Sequence, residues 1–174
     1  MTIPKIFILD VDGVMTTGHF LYTADGKSLK VFGPDDNDGL SLLKSLMEIR
    51  FVTADKRGFQ ISYKRIVEDM NYKLDLVSTN KRIDWIKKLY DPGEVIYMGD
   101  GIFDHYVMKE VRYSISPANA DKNAKKYSDF TTSRKGGDRA VAEACLHILE
   151  KFFNKFDPDI PQLSNNNVSE EWTV

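Results

Sequence analysis

Ile6-Phe7-Ile8-Leu9-Asp10-Val11-Asp12-Gly13 decides how the rest of this chain is read. A short apolar run with β-branched members, cut off by Asp and Gly, has the pattern of a strand buried on both faces, as in a parallel sheet. Ligands of open α/β sheets bind beyond the carboxyl ends of the strands. Asp10 and Asp12 are therefore expected to leave the core at the edge where chemistry is done. Two carboxylates there need a cation, a proton or hydrogen-bond donors, because an unpaired buried charge is costly. Taken alone, the same residues also fit an ordinary Asp-Gly turn.

Downstream, strand-like runs alternate with segments of helical spacing. Thr16 to Phe32 flanks Ala24-Asp25-Gly26, a hairpin-turn signal, and predicts a β-hairpin projecting from the sheet. Leu40, Leu43, Leu46 and Met47 are spaced for a helix, and Arg50 to Thr53 for a strand. Ile61 to Met70 reads as helix and Lys73 to Val77 as strand. A helix carrying Ile83, Ile86 and Leu89, with Asn80 as its cap, ends at Pro92-Gly93. The strand Glu94 to Met98 is stopped by Gly99-Asp100-Gly101. A short helix at Val107 and Met108, strands at Tyr113–Ser116 and Phe130–Thr132, and a helix from Gly136-Gly137 to Phe152 follow. This alternation predicts an α/β fold: a doubly wound, parallel, Rossmann-like sheet with right-handed crossovers, forming one domain over residues 1–156. Residues 157–174, rich in Pro, Ser and Asn, are expected to be a flexible C-terminal tail whose Ile160, Leu163 and Trp172 can dock on a neighbour.

Composition narrows the class. With 174 residues, 42% hydrophobic and 29% charged, the chain fits a soluble globular domain with one sizeable core. A net charge of -2 gives no electrostatic reason to expect nucleic acid or an anionic membrane as partner. No apolar run approaches the roughly 20 residues of a membrane span, and the start lacks a secretory pattern, so the expected location is cytoplasmic. The single cysteine, Cys145, excludes an internal disulfide framework and reads as a small buried residue of a helix.

Polar residues stand at four predicted strand ends: Asp10 with Asp12, Thr53, Lys81 just past the third, and Asp100 with Asp104. Parallel order brings them to one sheet edge. Three carboxylates gathered there repel, which a hard, oxygen-seeking cation such as Mg²⁺ resolves. A hydroxyl and an ammonium beside that cation suit a phosphoryl group. Asp10 is placed to attack phosphorus as a carboxylate nucleophile, and Asp12 to protonate the leaving oxygen and later activate water.

Asp10-Val11-Asp12-Gly13, Thr53, Lys81 and Gly99-Asp100-Gly101-Ile102-Phe103-Asp104 resemble the four motifs of the haloacid dehalogenase (HAD) phosphatase superfamily. The resemblance implies a HAD-like sheet and a Mg²⁺-dependent phosphomonoesterase working through an aspartyl-phosphate. It makes Asp10 the nucleophile, Asp12 the general acid/base, Thr53 and Lys81 the phosphate ligands, Asp10, the Asp12 carbonyl and Asp100 the metal ligands, and Asp104 their support. Neither the Asp10–Thr53 gap nor the Lys81–Asp100 gap leaves room for a cap domain. The hairpin and Lys135-Gly136-Gly137-Asp138-Arg139-Ala140-Val141 are similar to a capless branch of sugar-acid phosphatases. That branch includes 3-deoxy-D-manno-octulosonate 8-phosphate phosphatases, nonulosonate 9-phosphate phosphatases and the C-terminal domains of some acylneuraminate cytidylyltransferases. By that likeness the chain is a homotetramer acting on a small phosphate ester, with Gly13, Lys30, Asp36, Ala54, Arg57 and Lys135 as substrate contacts. The branch usually carries Thr-Gly-Arg at its second motif, where this chain has Thr53-Ala54-Asp55. Two other readings are a non-catalytic assembly module of the same fold and a receiver-like phospho-acceptor built on Asp55, Thr79 and Lys109.

Overall fold

In a computed structural model that describes residues 3–160, Ile6–Asp10 forms strand β1 in the interior of a six-stranded sheet. The chain continues through β2 (Thr16–Thr23), β3 (Gly26–Phe32), α1 (Asp36–Leu43), β4 (Glu48–Thr53), α2 (Phe59–Tyr63) and β5 (Lys73–Leu76). It then forms α3 (Arg82–Leu89), β6 (Val95–Met98), α4 (His105–Met108), β7 (Tyr113–Ser116), α5 (Lys122–Tyr127), β8 (Phe130–Thr131) and α6 (Ala140–Phe152). The sheet runs β5-β4-β1-β6-β7-β8, and every neighbouring pair is parallel. From β1 the chain builds outward through β4 and β5, then returns to the other side of β1 with β6. That reversal between β1 and β6 opens the crevice in which α/β sheets bind ligands.

Period-two alternation along β1 divides the core. Phe7 and Leu9 face one layer with Leu40, Leu43, Val141 and Ile148, while Ile6 and Ile8 face the other with Ile86, Tyr97 and Val107. Cys145 is buried in the first layer, as its helical setting predicted. β2 and β3 pair antiparallel as the projecting hairpin, and no cap domain interrupts the described chain.

Three local expectations change. α1 stops at Leu43, leaving Leu46 exposed in the turn, because the chain must reach Glu48 in register with Ile6. Beyond α2 the chain winds on as one wider helical segment, Lys64–Asp69. α5 was not expected: its only buried residue is Ala124, so no apolar stripe marks it, and its start is fixed by Asp121 accepting from Asn123 N–H at 2.8 Å. Leu163 and Trp172 lie outside the described residues. Among those described, no helix is long and apolar enough to cross a membrane.

Candidate active site

Strand alternation fixes where Asp10 points. It lies on the same face of β1 as Ile6 and Ile8, the face covered by α3, so the first residue of α3 meets it. That residue is Arg82, whose side chain is 1% exposed. Its Nη1 donates to Asp10 Oδ2 at 2.6 Å, to Asp104 Oδ1 at 2.8 Å and to Tyr97 Oη at 2.8 Å, and Nη2 donates to Asp10 Oδ1 at 3.0 Å. Tyr97 O–H donates to Asp104 Oδ1 at 2.6 Å, and Gly101 N–H to Asp104 Oδ2 at 2.8 Å. Asp104 is thus fully engaged as an anchor beneath Arg82.

Asp100 completes the group. Its carboxylate rests directly on Gly13, where a Cβ would stand 2.0 Å from Asp100 Oδ2 and where φ is +88°, so only glycine serves this turn. Carboxylate oxygens of Asp10, Asp100 and Asp104 lie within 4.8 Å of one another. Burial, then the charges of Asp10 and Asp104, push the Asp100 carboxyl up to about 8. Burial raises Asp10 to about 6, with the Arg82 charge pulling the other way. Two buried carboxylates, Asp10 and Asp104, and the half-buried Asp100 gather around one guanidinium. This oxygen-only, electron-rich donor set fits a hard divalent cation, which Asp10 and Asp100 would hold.

Asp12 stands on the turn after β1 and belongs to a second set of contacts. Thr53, buried at the end of β4, donates to Asp12 Oδ2 at 3.1 Å, and Lys30 of β3 reaches the same oxygen at 3.0 Å. The sheet edge therefore carries two adjoining clusters, one around Arg82 and one around Lys30.

The site corrects the sequence reading at several positions. Lys81 is exposed, and the cation at Asp10 is its neighbour Arg82. Thr79–Lys81 forms a tight turn before α3, and one helical step, roughly 100°, separates the outward from the inward position. The signal was present, since Arg82 precedes the core residue Ile86 by four and shares its stripe. Lys30 is not open to a substrate: it is enclosed and bound to Asp12. Asp36 is 1% exposed, and its Oδ1 accepts from Ala142 N–H at 3.0 Å in the first turn of α6. It clasps α1 to α6 instead of facing a ligand. Ala54, Arg57 and Lys135 are exposed on loops. The loop after Lys135 is tied to the Asp12 turn, Gly137 N–H donating to Val14 O at 3.1 Å. Arg82 and Tyr97 are not anticipated from the sequence, nor is Ser62, whose Oγ accepts from Lys30 at 2.8 Å, nor the pairing of Asp55 with Lys27 at 2.6 Å and Lys30 at 2.9 Å.

No protein-family model matches the chain. Against curated proteins, the chain is 33% identical over 155 residues to the 3-deoxy-D-manno-octulosonate 8-phosphate phosphatase KdsC of Salmonella typhi, covering 83% of this chain and 79% of the relative. The KdsC protein of Escherichia coli (strain K12) is 32% identical over the same shares. Among solved structures, the chain resembles the 3-deoxy-D-manno-octulosonate 8-phosphate phosphatase of Moraxella catarrhalis in complex with magnesium ion, phosphate ion and KDO. The match has a TM-score of 0.72 at 27% identity, over 84% of this chain and 86% of that one. It also resembles the cobalt-bound deoxy-D-mannose-octulosonate 8-phosphate phosphatase of Haemophilus influenzae, at TM-score 0.73 and 26% identity, over 84% and 88%.

Proposed function

We propose, for a chain that belongs to the 3-deoxy-D-manno-octulosonate 8-phosphate phosphatase family of the HAD superfamily and is thereby a phosphoric monoester hydrolase, that catalysis runs through a phosphoaspartate at Asp10. The cofactor is Mg²⁺ and the substrate a sugar-acid phosphate, with 3-deoxy-D-manno-octulosonate 8-phosphate as the leading candidate. The carrying observation is the meeting of Asp10 with Arg82, Asp100 and Asp104 at the carboxyl edge, beside Asp12 and Thr53. When bound, the divalent ion supplies charge neutralisation between the carboxylates and an incoming phosphoryl group.

The chain's own residues do the rest. Arg82 holds Asp10 in place and offers positive charge to the phosphoryl oxygens, and the Thr53 hydroxyl, which here donates to Asp12, is the second phosphate contact once it turns to them. An Asp10 oxygen attacks phosphorus while the bond from phosphorus to the sugar oxygen breaks, and Asp12 gives its proton to that oxygen. Water then attacks the phosphoaspartate, loses a proton to Asp12 and frees phosphate, restoring both carboxyl groups. The exposed apolar residues of the hairpin, Phe20, Leu21, Tyr22, Leu29 and Val31, support a homotetramer assembled through this element.

The test is phosphate release with and without Mg²⁺ from octulosonate 8-phosphate, nonulosonate 9-phosphates and hexose phosphates, alongside Asp10→Asn. Strong preference for one sugar-acid phosphate, abolished in Asp10→Asn while the fold is kept, is the expected result. Retained turnover in Asp10→Asn would sink the phosphoaspartate route, and uniform weak activity would remove the sugar-acid assignment.

A further inference from the structure

Lys30 is, with Arg82, an enclosed cation beside the site, and the proposed chemistry leaves it without a task. Its side chain is 0% exposed. Nζ stands 2.7 Å from Asp12 Oδ1 and 3.0 Å from Oδ2, 2.8 Å from Ser62 Oγ and 2.9 Å from Asp55 Oδ2. Two of the three N–H groups of this ammonium donate to Asp12 Oδ2 and Ser62 Oγ, and Asp55 Oδ2 lies against it as an ion-pair partner, so the protein itself occupies the charge. The surroundings form a built socket. Lys27 closes over Asp55 at 2.6 Å, and its Nζ lies 3.3 Å above the Phe20 ring. A Cβ on Gly58 would stand 2.2 Å from Asp55 Oδ2, 2.7 Å from Lys30 Cε and 2.8 Å from Lys27 Cδ, so the Asp55 carboxylate and both lysine stems pack over a position that has no side chain. Two lysines against Asp12 and Asp55 balance the cluster's charge, which is the condition for burying it.

Asp12 needs such a hold. It lies past the end of β1, on a turn whose backbone has left the sheet ladder. Thr53 fixes one of its oxygens, and among the described residues Lys30 is the side chain that lies against both. Resting on the reading of Asp12 as general acid/base, we propose that Lys30 is the positioning residue of that group. From the hairpin it sets the Asp12 carboxyl in the orientation from which a proton passes to the departing sugar oxygen and is later taken from water. Asp55, Ser62 and Gly58 hold Lys30 for this task. The hairpin is then part of the catalytic apparatus of its own subunit.

The test uses leaving-group dependence. A sugar phosphate needs its leaving oxygen protonated, whereas p-nitrophenyl phosphate expels a stable anion. Lys30→Met is expected to lower kcat on the sugar phosphate on the order of 100-fold, the usual worth of a positioned acid/base, and on p-nitrophenyl phosphate by only about threefold, following the pattern of Asp12→Asn. In an Asp12→Asn background, Lys30→Met should cost little more, because the group it positions is gone. Should Lys30→Met fail to fold, Gly58→Ala crowds Asp55 Oδ2 first and then the Lys30 stem, disturbing the hold on Lys30 with every charge kept, and should show the same selectivity at smaller size. Equal losses on both substrates, or additive losses in the double variant, overturn the positioning role. If Asp12→Asn itself shows no leaving-group dependence, the failure lies with the general acid/base reading instead.

Discussion

Arg82 grips Asp10 with two nitrogens, Nη1 at 2.6 Å from one carboxylate oxygen and Nη2 at 3.0 Å from the other. The planar fork fixes the rotation of the carboxylate as well as its place, which a lysine ammonium does not do. Burial works against the charge of Arg82, but Asp10, Tyr97 and Asp104 hold it firmly protonated.

Arg82→Met should lower kcat by about 10²–10³-fold, the cost of removing one charge-stabilising donor from a closed site. Lys81→Ala should stay within about twofold of the parent, because its side chain lies in solvent and general acid/base or electrostatic losses begin well above that range. Steady-state phosphate release decides between them. The reverse ranking would return the role to Lys81.

Divalent cation should stabilise the fold through Asp100. At a concentration a hundredfold above Kd, binding adds about 2.7 kcal/mol, which is roughly a 5–10 °C rise in Tm for a chain of this size. Asp100→Asn should lose most of that rise and, with one repelling charge removed, should melt no lower than the parent in EDTA. An unchanged Mg²⁺ response in the variant would remove Asp100 from the metal site.

Much of this architecture is legible in the amino-acid sequence alone. The strand pattern is, because β1, β4 and β6 are short apolar runs stopped by polar residues, and β-hairpin turns announce themselves through Asp-Gly. The gathering of Asp10, Asp12, Thr53, Asp100 and Asp104 at one sheet edge is legible too, because each stands at or just past a strand end. Arg82 was missed because adjacent basic residues look alike in sequence, and only the helical phase separates them. Lys30 was read as open because a hairpin seen alone presents its lysines to water. Its enclosure depends on Gly58 and Asp55, residues about thirty positions away that no local pattern links to it.

Asp36 should give stability a pH dependence of its own. Burial raises its carboxyl from 3.8 to about 6. A raised acid favours the folded state fully below the unfolded value, and that contribution disappears as pH climbs through 6. Asp36→Asn keeps an acceptor for Ala142 N–H and removes the titration. The Tm of the variant minus that of the parent should rise between about pH 4 and 7 and then level off. A constant difference across that window would show that Asp36 does not titrate there.

Leu21 and Leu29 face each other across the hairpin and are 47% and 58% exposed. The proposed homotetramer requires a parent of about four chain masses in light scattering, and replacing both with Glu should shift it toward monomer; a monomeric parent would remove the tetramer. The double replacement should leave the monomer's melting temperature within about 2 °C, since exposed positions rarely change stability by more than about 0.5 kcal/mol. An unchanged mass would place the interface elsewhere.

β1 lies between β4 and β6, so the strand that carries Asp10 finds its two partners some forty and ninety residues further along the chain. On the ribosome it emerges before both partners and has to wait, with one edge still unpaired after β4 is made, until Val95–Met98 follows. Such non-local pairing slows folding and leaves the apolar Ile6–Leu9 segment open to wrong partners in the meantime. The same arrangement prevents any half-folded form from being a half-active one, because Asp10 reaches Asp100 only after the sheet has closed around β1. Recovery of turnover after dilution from denaturant should therefore lag behind recovery of helical signal and coincide with burial of the central strand.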